Sequence, residues 1–313
     1  MKSSRIKIFA LATTTWIMLS GLSTAGDGIQ SHLPNQAATI TLSSDAPVNG
    51  STLLLEIDTP KVSPPLMNLQ IQFDNQSIPL LQHPIRPDNA FFGMVAIPLQ
   101  AKLGPSMLTV AWEDSNGKHK HSIAFRIIAG SYLTDRLSVD PGKVDLSKTD
   151  LARVKREKKE INRIYASGSM QRLWQGLFQL PVNSMVTSAF GNKRTFNGQL
   201  RSYHNGVDFR APVGQPVFAA NSGIVKLAKN LFFSGNLIIV DHGTGVFSNY
   251  AHLSRINVEP GQHIEKGQPL GLSGATGRVN GPHLHWGVKL NGTYIDPLQF
   301  ADVIAALVGT EAG

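Results

Sequence analysis

The 313-residue sequence contains no cysteine. That absence excludes disulfides, thiolate metal sites, a cysteine nucleophile and a lipid anchor on an N-terminal cysteine. Charged residues are sparse at 16% and aromatics make up 7%, while 42% of the chain is apolar, a balance that suits a globular protein. No Arg/Lys stripe interleaved with aromatics occurs, so the formal charge of +8 does not indicate nucleic-acid binding. Long apolar runs are missing beyond residues 8–22. That run follows Lys2, Arg5 and Lys7 and precedes Ser23-Thr24-Ala25, the pattern of an export signal over 1–25. Removing those three cations takes the charge from +8 to +5. The expectation is an exported chain that relies on core packing alone, which its length permits.

Residues 27–130 read as an N-terminal β-sandwich-like module. Short apolar or alternating runs at 38–42, 52–57, 69–73, 92–97, 107–112 and 122–128 are punctuated by turn residues such as Asn49-Gly50, Asp74-Asn75 and Asn116-Gly117. His119 and His121 follow the last of these turns among lysines and read as a solvated hairpin arm rather than half a metal site. Over 131–179 the period changes. Leu151, Val154, Ile161, Ile164 and Tyr165 form a helical stripe opposite Lys155, Arg156, Lys159 and Arg163, with Thr149 or Asp150 as cap and Gly168 as breaker. This predicts a helical linker. Residues 180–300 return to short strands with glycines at the turns, and 301–313 read as a C-terminal tail. The fold class is mainly β.

The chemistry lies in 180–300. His204-Asn205-Gly206-Val207-Asp208 projects an imidazole and a carboxylate to nearly one side on either a helix or a strand. His283-Leu284-His285 puts two imidazoles on one face of a strand, with Leu284 and Trp286 facing a core. Between these pairs lies Tyr250-Ala251-His252-Leu253, after an Asp241-His242-Gly243 segment that reads as a turn. Two imidazoles and one carboxylate make a sound zinc site with one open position. The same set suits non-haem iron. No His-Glu-x-x-His helix is present, so imidazole must do any proton work.

In that order and setting, 186–300 resembles the lysostaphin-type (LytM-like, M23) zinc endopeptidases of peptidoglycan. The matching stretches include Ser188-Ala189-Phe190-Gly191, His204 to Phe209, Val240-Asp241-His242-Gly243, Tyr250 to Ser254, Gly274-Ala275-Thr276-Gly277-Arg278 and Gly281 to Trp286. The resemblance implies a C-terminal antiparallel β-sheet peptidase domain with a zinc ion on His204, Asp208 and His285. It also implies that His252 and His283 flank the reacting water as general base and oxyanion stabiliser, in an order left open. Tyr203, Asn192 and Arg201 are further candidates for the cleft. His242 is expected to support loop geometry, and His32, His83 and His263 to lie at the surface or in turns.

The implied substrate is a peptide crosslink or stem peptide of peptidoglycan, and the implied location is periplasmic or envelope-associated. A regulatory protein partner is conceivable, and the N-terminal module is expected to restrain or position the site. A non-catalytic relative that activates a separate cell-wall amidase would show missing ligands, whereas all five site residues are present here. A lipoyl-type carrier, suggested by the turns in 258–271, would need a lysine in its modification motif, and none is found.

Overall fold

A computed structural model describes residues 28–309 except 34–37, 60–66, 115–116, 138–141, 143–145 and 197–198. The export signal expected over 1–25 lies outside the described residues. Among the described residues no helix is long and apolar enough to cross a membrane.

The molecule is mainly β, in the two layered parts that the strand patterns predict. In the first, a five-stranded sheet packs on a four-stranded one. The five-stranded sheet runs in the order Ile29–His32, Thr39–Leu42, Thr52–Asp58, Ala90–Ala96, Leu81–Gln82. The four-stranded sheet runs Gln76–Ile78, Met67–Phe73, Gly104–Asp114, Gly117–Ile127. Leu53, Leu55, Ile57 and Val95 from one sheet meet Ile71, Val110, Trp112 and Phe125 from the other. The long hairpin carries His119, which stacks on Trp112 at 5.2 Å and meets Asp114 at 2.7 Å, and His121, which meets Ser31 at 2.8 Å. Among the described residues neither ring belongs to a metal-like cluster.

Side chains alternate faces along a strand. The runs Thr52–Asp58 and Ala90–Ala96 are apolar at successive positions because both of their faces are covered. Leu54, Phe92, Met94 and Ala96 point away from the sandwich into the core of the second part, beside Trp174, Phe178, Phe300 and Leu307. Burying a side chain of this size contributes about 1.5–3 kcal/mol. The two parts are thus fused through one core rather than joined by a free linker.

Helix α2, Pro297–Val308, seals the junction. Asp296 caps it by accepting from the Leu298 N–H at 2.9 Å, and Pro297 occupies the first turn, where no N–H is needed. Phe300, Ile304 and Leu307 are buried. Gln299 imitates a strand neighbour: its Oε1 accepts from Thr52 N at 2.8 Å and its Nε2 donates to Thr52 O at 2.9 Å. The tail read from 301 onward is therefore helix through Val308.

Helix α1, Lys148–Ala166, is shorter than the 131–179 segment expected to be a helical linker, and Ser147 caps it rather than Thr149 or Asp150. Its Ile161, Ile164 and Tyr165 pack on Leu227, Leu237, Ile239 and Phe247. Gly168 sits where a Cβ would lie 2.8 Å from the Phe247 ring, so close packing requires glycine there. After it the chain becomes an extended strap that buries Trp174, Phe178 and Val182.

The second part is built on an eight-stranded antiparallel sheet. Its order is Val186–Ser188, Val207–Arg210, His283–Leu290, Val246–Leu253, Gly235–Gly243, Gly223–Leu231, His263–Ile264, with Thr293–Ile295 beside His283–Leu290. A smaller sheet of Thr134–Leu137, Lys193–Phe196 and Gln199–Tyr203 stands beside it.

Two histidines expected at turns or the surface are buried instead. His83 is 3% exposed and meets Glu56 Oε1 at 3.0 Å. His242 lies inside a strand, because the turn comes later, at Thr244 and Gly245, where φ is +51° and +81°. Its Nδ1–H donates to Ser222 O at 2.7 Å and its Nε2 pairs with the Ser248 hydroxyl at 2.7 Å. Burial pushes its pKa from 6.5 down to about 4. The unfolded chain then binds the extra proton between those two values, so stability is lost as pH falls from 6.5 toward 4. We expect the stability gap between wild type and His242→Gln to shrink by up to about 3 kcal/mol over that window, measured by urea unfolding. A gap independent of pH would show that His242 titrates normally.

Candidate metal centre and cleft

Strand register sets the site. Asp208 stands directly opposite His285, and Arg210 opposite His283. Val207, Phe209, Leu284 and Trp286 take the other face and are fully buried. His204 arrives from the loop before this strand, held by backbone bonds from Gly191 N to His204 O and from His204 N to Asn192 O, both 2.9 Å. Gly206 lets the segment between His204 and Asp208 pass close to the next strand, since a Cβ there would collide with the Trp286 carbonyl and the His285 ring.

Three ligand atoms converge. His204 Nε2 lies 2.9 Å from Asp208 Oδ1 and 3.0 Å from His285 Nδ1, and His285 Nδ1 lies 2.9 Å from Asp208 Oδ1. The Ala189 carbonyl, 2.8 Å from His204 Nδ1, can only accept, so Nδ1 carries the proton and Nε2 presents a lone pair. Burial pushes His285 from 6.5 down to about 4, so its ring is neutral at neutral pH. Burial opposes ionisation of Asp208, yet the hydrogen bonds and charge that His204 and His285 offer when protonated hold its carboxyl well below its usual range. Two imidazole lone pairs and a carboxylate aimed at one point suit a cation. Tetrahedral zinc needs ligand atoms roughly 3.3 Å apart, so the triangle would open by only a few tenths of an ångström. Among the described residues this trio alone forms such a group.

His252 and His283 stand alongside, their rings 4.7 Å apart. Both use the device seen at His204. His252 Nδ1–H donates to Thr276 O at 2.8 Å and His283 Nδ1–H donates to Gly281 O at 2.9 Å, which turns each Nε2 toward the cleft. Burial, then the neighbouring His283 and His285, push His252 from 6.5 to about 3. His252 also adopts φ = +64°, at a register shift where Leu253 pairs with Asn236 but Tyr250 with Ile238. The extra residue is a bulge that re-aims the ring, and the left-handed backbone is strain concentrated at the site.

Sequence reasoning missed what stands behind the ligands. Arg194 donates to Asp208 Oδ2, and Asp135 Oδ2 lies 3.9 Å from Arg194 Nε. Ser188 Oγ donates to Asp135 at 2.5 Å and lies 3.0 Å from His204 Nδ1. Asn192 does not reach the cleft; it is buried and tethers Asp135 at 3.0 Å. Tyr203 lines the cleft, and the Arg201 side chain lies outside the described residues. The cleft encloses about 770 Å³ and is lined by both small sheet and large. No described residue of 28–130 lines it.

The fold and donor set define a β-sheet metalloprotein of the His/Asp/His kind. Residues 202–297 match the family model of peptidase family M23, and the chain belongs to that family. It is 38% identical over 134 residues to the peptidoglycan DD-endopeptidase ShyA of Vibrio cholerae, covering 42% of this chain and 30% of that one. An uncharacterized metalloprotease of Haemophilus influenzae is 31% identical over 208 residues, 64% of this chain and 42% of that one. The chain therefore spans well under half the length of these curated relatives. A crystal structure of a candidate M23 peptidase from Pseudomonas aeruginosa superposes with TM-score 0.61 at 30% identity, over 82% of this chain and 95% of that one.

Replacing Arg194 by Gln removes the charge that holds Asp208 in place. Metal affinity should fall about 10- to 100-fold, read by competition with a chelating dye, while the thermal unfolding of the metal-free protein stays cooperative. Unchanged affinity would show that Asp208 needs no such support.

Proposed function

We propose that this protein is a zinc endopeptidase that hydrolyses peptide crosslinks or stem peptides of bacterial peptidoglycan in the periplasm or envelope. The observation that carries the reading is the pair of imidazoles, His252 and His283, each with Nδ1 committed to a backbone carbonyl, beside a convergent His204/Asp208/His285 triangle. Zinc, held by those three residues, would supply Lewis-acid polarisation of the scissile carbonyl and acidification of water.

The chain's own groups divide the proton work. His283 Nε2 lies 3.8 Å from Asp208 Oδ1, so a carboxylate is at hand to stabilise a proton taken up there. His252 resists a positive charge because burial holds it near 3. His283 is thus the better general base, taking a proton from water and returning it to the leaving amine. His252 accepts a hydrogen bond and orients the water.

Incubation of purified sacculi with the mature protein, followed by mass spectrometry of the muropeptides, should show cleavage that a chelator abolishes. His285→Ala and Asp208→Ala should lose metal and activity together. His252→Ala and His283→Ala should keep the metal and slow by roughly 10²-fold or more. Full metal retention in both ligand variants would sink the ligand assignment, and a zinc-loaded, folded protein that cuts nothing would favour the amidase-activator reading.

The N-terminal sandwich is proposed to position the site rather than cover it. It contributes no described residue to the cleft, and it is tied to the site's supports through the shared core, the Tyr132 hydroxyl on Asn49 O and the Leu133–Asn192 contact of 3.1 Å. A 180–300 fragment should therefore be less stable and less active than the mature chain. Higher activity in the fragment would establish restraint instead.

A further inference from the structure

Helix α1 borders the cleft although it lies outside the residues matched to the family. Its Ile161 and Tyr165 line the cleft together with Leu237, Asn249, Ala251 and Tyr294. The floor they border is the face of the large sheet that carries His285. Side chains alternate faces along a strand, so His285, Gly287 and Lys289 share that face. Strand pairing sets Ala251 beside His285, Asn249 beside Gly287 and Phe247 beside Lys289. On its other side Lys289 stands opposite Tyr294 of the short strand Thr293–Ile295. The floor thus runs step by step from the metal ligands to a row of Phe247, Lys289 and Tyr294.

At that row the floor is crossed. Tyr165 reaches over it from α1: its ring meets the Phe247 ring edge-on at 5.1 Å, and its hydroxyl lies 3.3 Å from the Tyr294 hydroxyl. Lys289 Nζ sits over both tyrosine rings, 4.1 Å from the Tyr165 centroid and 4.8 Å from that of Tyr294. Cation–π contact and aromatic packing hold both rings in place. The body of the helix is tied down as well. Glu157 accepts from Phe232 N at 2.9 Å, and Glu160 pairs with Lys229 at 2.7 Å. The crossing is a fixed bar.

One cross-strand pair, Asn249 and Gly287, separates the ligand row from the bar. A Cβ on Gly287 would lie 2.6 Å from Asn249 Nδ2, so glycine keeps the floor low at this step. The four strand residues from His285 to Lys289 span about 13 Å. An extended peptide advances about 3.4 Å per residue, so roughly three residues fit between the metal ligands and the bar. We propose that Tyr165 and Tyr294 end the cleft on this side, so that a peptide substrate extends only about three residues from the scissile bond before its chain must stop or turn out to solvent. This selects a short peptide with a nearby chain end, such as a wall stem peptide, over the interior of a protein or a long polymer. The inference rests on the peptidase reading for its substrate but not for its test.

The probes are peptide hydroxamates, whose chelating head anchors one chain end at the metal whichever bond the enzyme cuts. In one series the chain leaves from the N-terminal side of that head, and in the other from the C-terminal side. Each chain is a trialanine, alone or continued by a tetraproline, which makes a stiff extended rod. Binding to the full-length, zinc-loaded protein is read by calorimetry. In one series the rod should weaken binding about tenfold or more, because it runs into the bar. Tyr165→Ala and Tyr294→Ala should each bring that ratio back toward unity with bound zinc unchanged, and if one of them fails to fold the other decides. Tyr165→Phe, which keeps the ring, should retain the penalty. A rod tolerated in both series, or a penalty that survives the alanine substitutions, overturns the inference. A penalty lifted by them in a protein that cuts no sacculi supports the bar and counts against the peptidase reading alone.

Discussion

Asp208 is the constraint around which the second half of the molecule is arranged. Its side chain is almost fully buried, and a carboxylate in that position is tolerated only if its charge is answered. Arg194 answers one oxygen, and the other faces His204 Nε2 and His285 Nδ1. With His204 Nδ1 committed to the Ala189 carbonyl, the nitrogen facing Asp208 has no proton to give in the neutral ring. Only His285 Nδ1 can carry a proton between these atoms in the neutral rings, and without that proton the three atoms present lone pairs to a cation. A metal held by these atoms would couple its binding to the folding of this region, and acid would compete with it for the same three atoms.

The same logic explains why the N-terminal sandwich cannot be a loose appendage. The segment that carries Asp135 leaves the sandwich at Ile128, and Tyr132 is anchored on Asn49 of the sandwich before Asp135 meets Arg194 and Ser188. Arg194 is thus aimed at Asp208 by a strand, Lys193–Phe196, that lies parallel to Thr134–Leu137. Fusion of the two cores through Leu54, Phe92 and Met94 fixes where that segment starts. The route from sandwich to ligand is a chain of packed side chains and hydrogen bonds with no free hinge among its described residues.

Some of this was legible in the sequence and some was not. His283 and His285 two apart, with Leu284 and Trp286 between and after, announce a strand with one wet face, and the strand is there. The His-x-x-x-Asp spacing brought His204 and Asp208 together across Gly206, which lets the backbone pass against the Trp286 carbonyl and the His285 ring. Arg194 was invisible, since a lone arginine in a polar stretch has no periodicity to flag it. His242 misled for a physical reason: Asp241-His242-Gly243 has turn composition, yet strong pairing on both sides carries the strand through it and delays the turn to Thr244. Trp174 and Phe178, within the segment expected to be a helical linker, carried no signal, because an extended strap buried on one side has no helical or strand repeat.

His252 shows why pattern reading stops short of mechanism. In a regular strand it would share a face with Tyr250, whose ring is wholly buried and whose hydroxyl accepts from Ala220 N at 2.8 Å. An imidazole driven onto that face would be useless to the cleft. One inserted residue moves it across, and the left-handed backbone at φ = +64° holds it there. That strain, on the order of 1–3 kcal/mol, persists only because the surroundings over-determine it. Ser234 O accepts from its N–H at 2.9 Å, and Thr276 O fixes its ring. The residue is thereby held by two loops that meet only in the folded state, and Phe233 and Arg278 join those loops a residue or two away. Anything that shifts the loop carrying Thr276 and Arg278 must shift His252 with it, because the ring hangs from the Thr276 carbonyl.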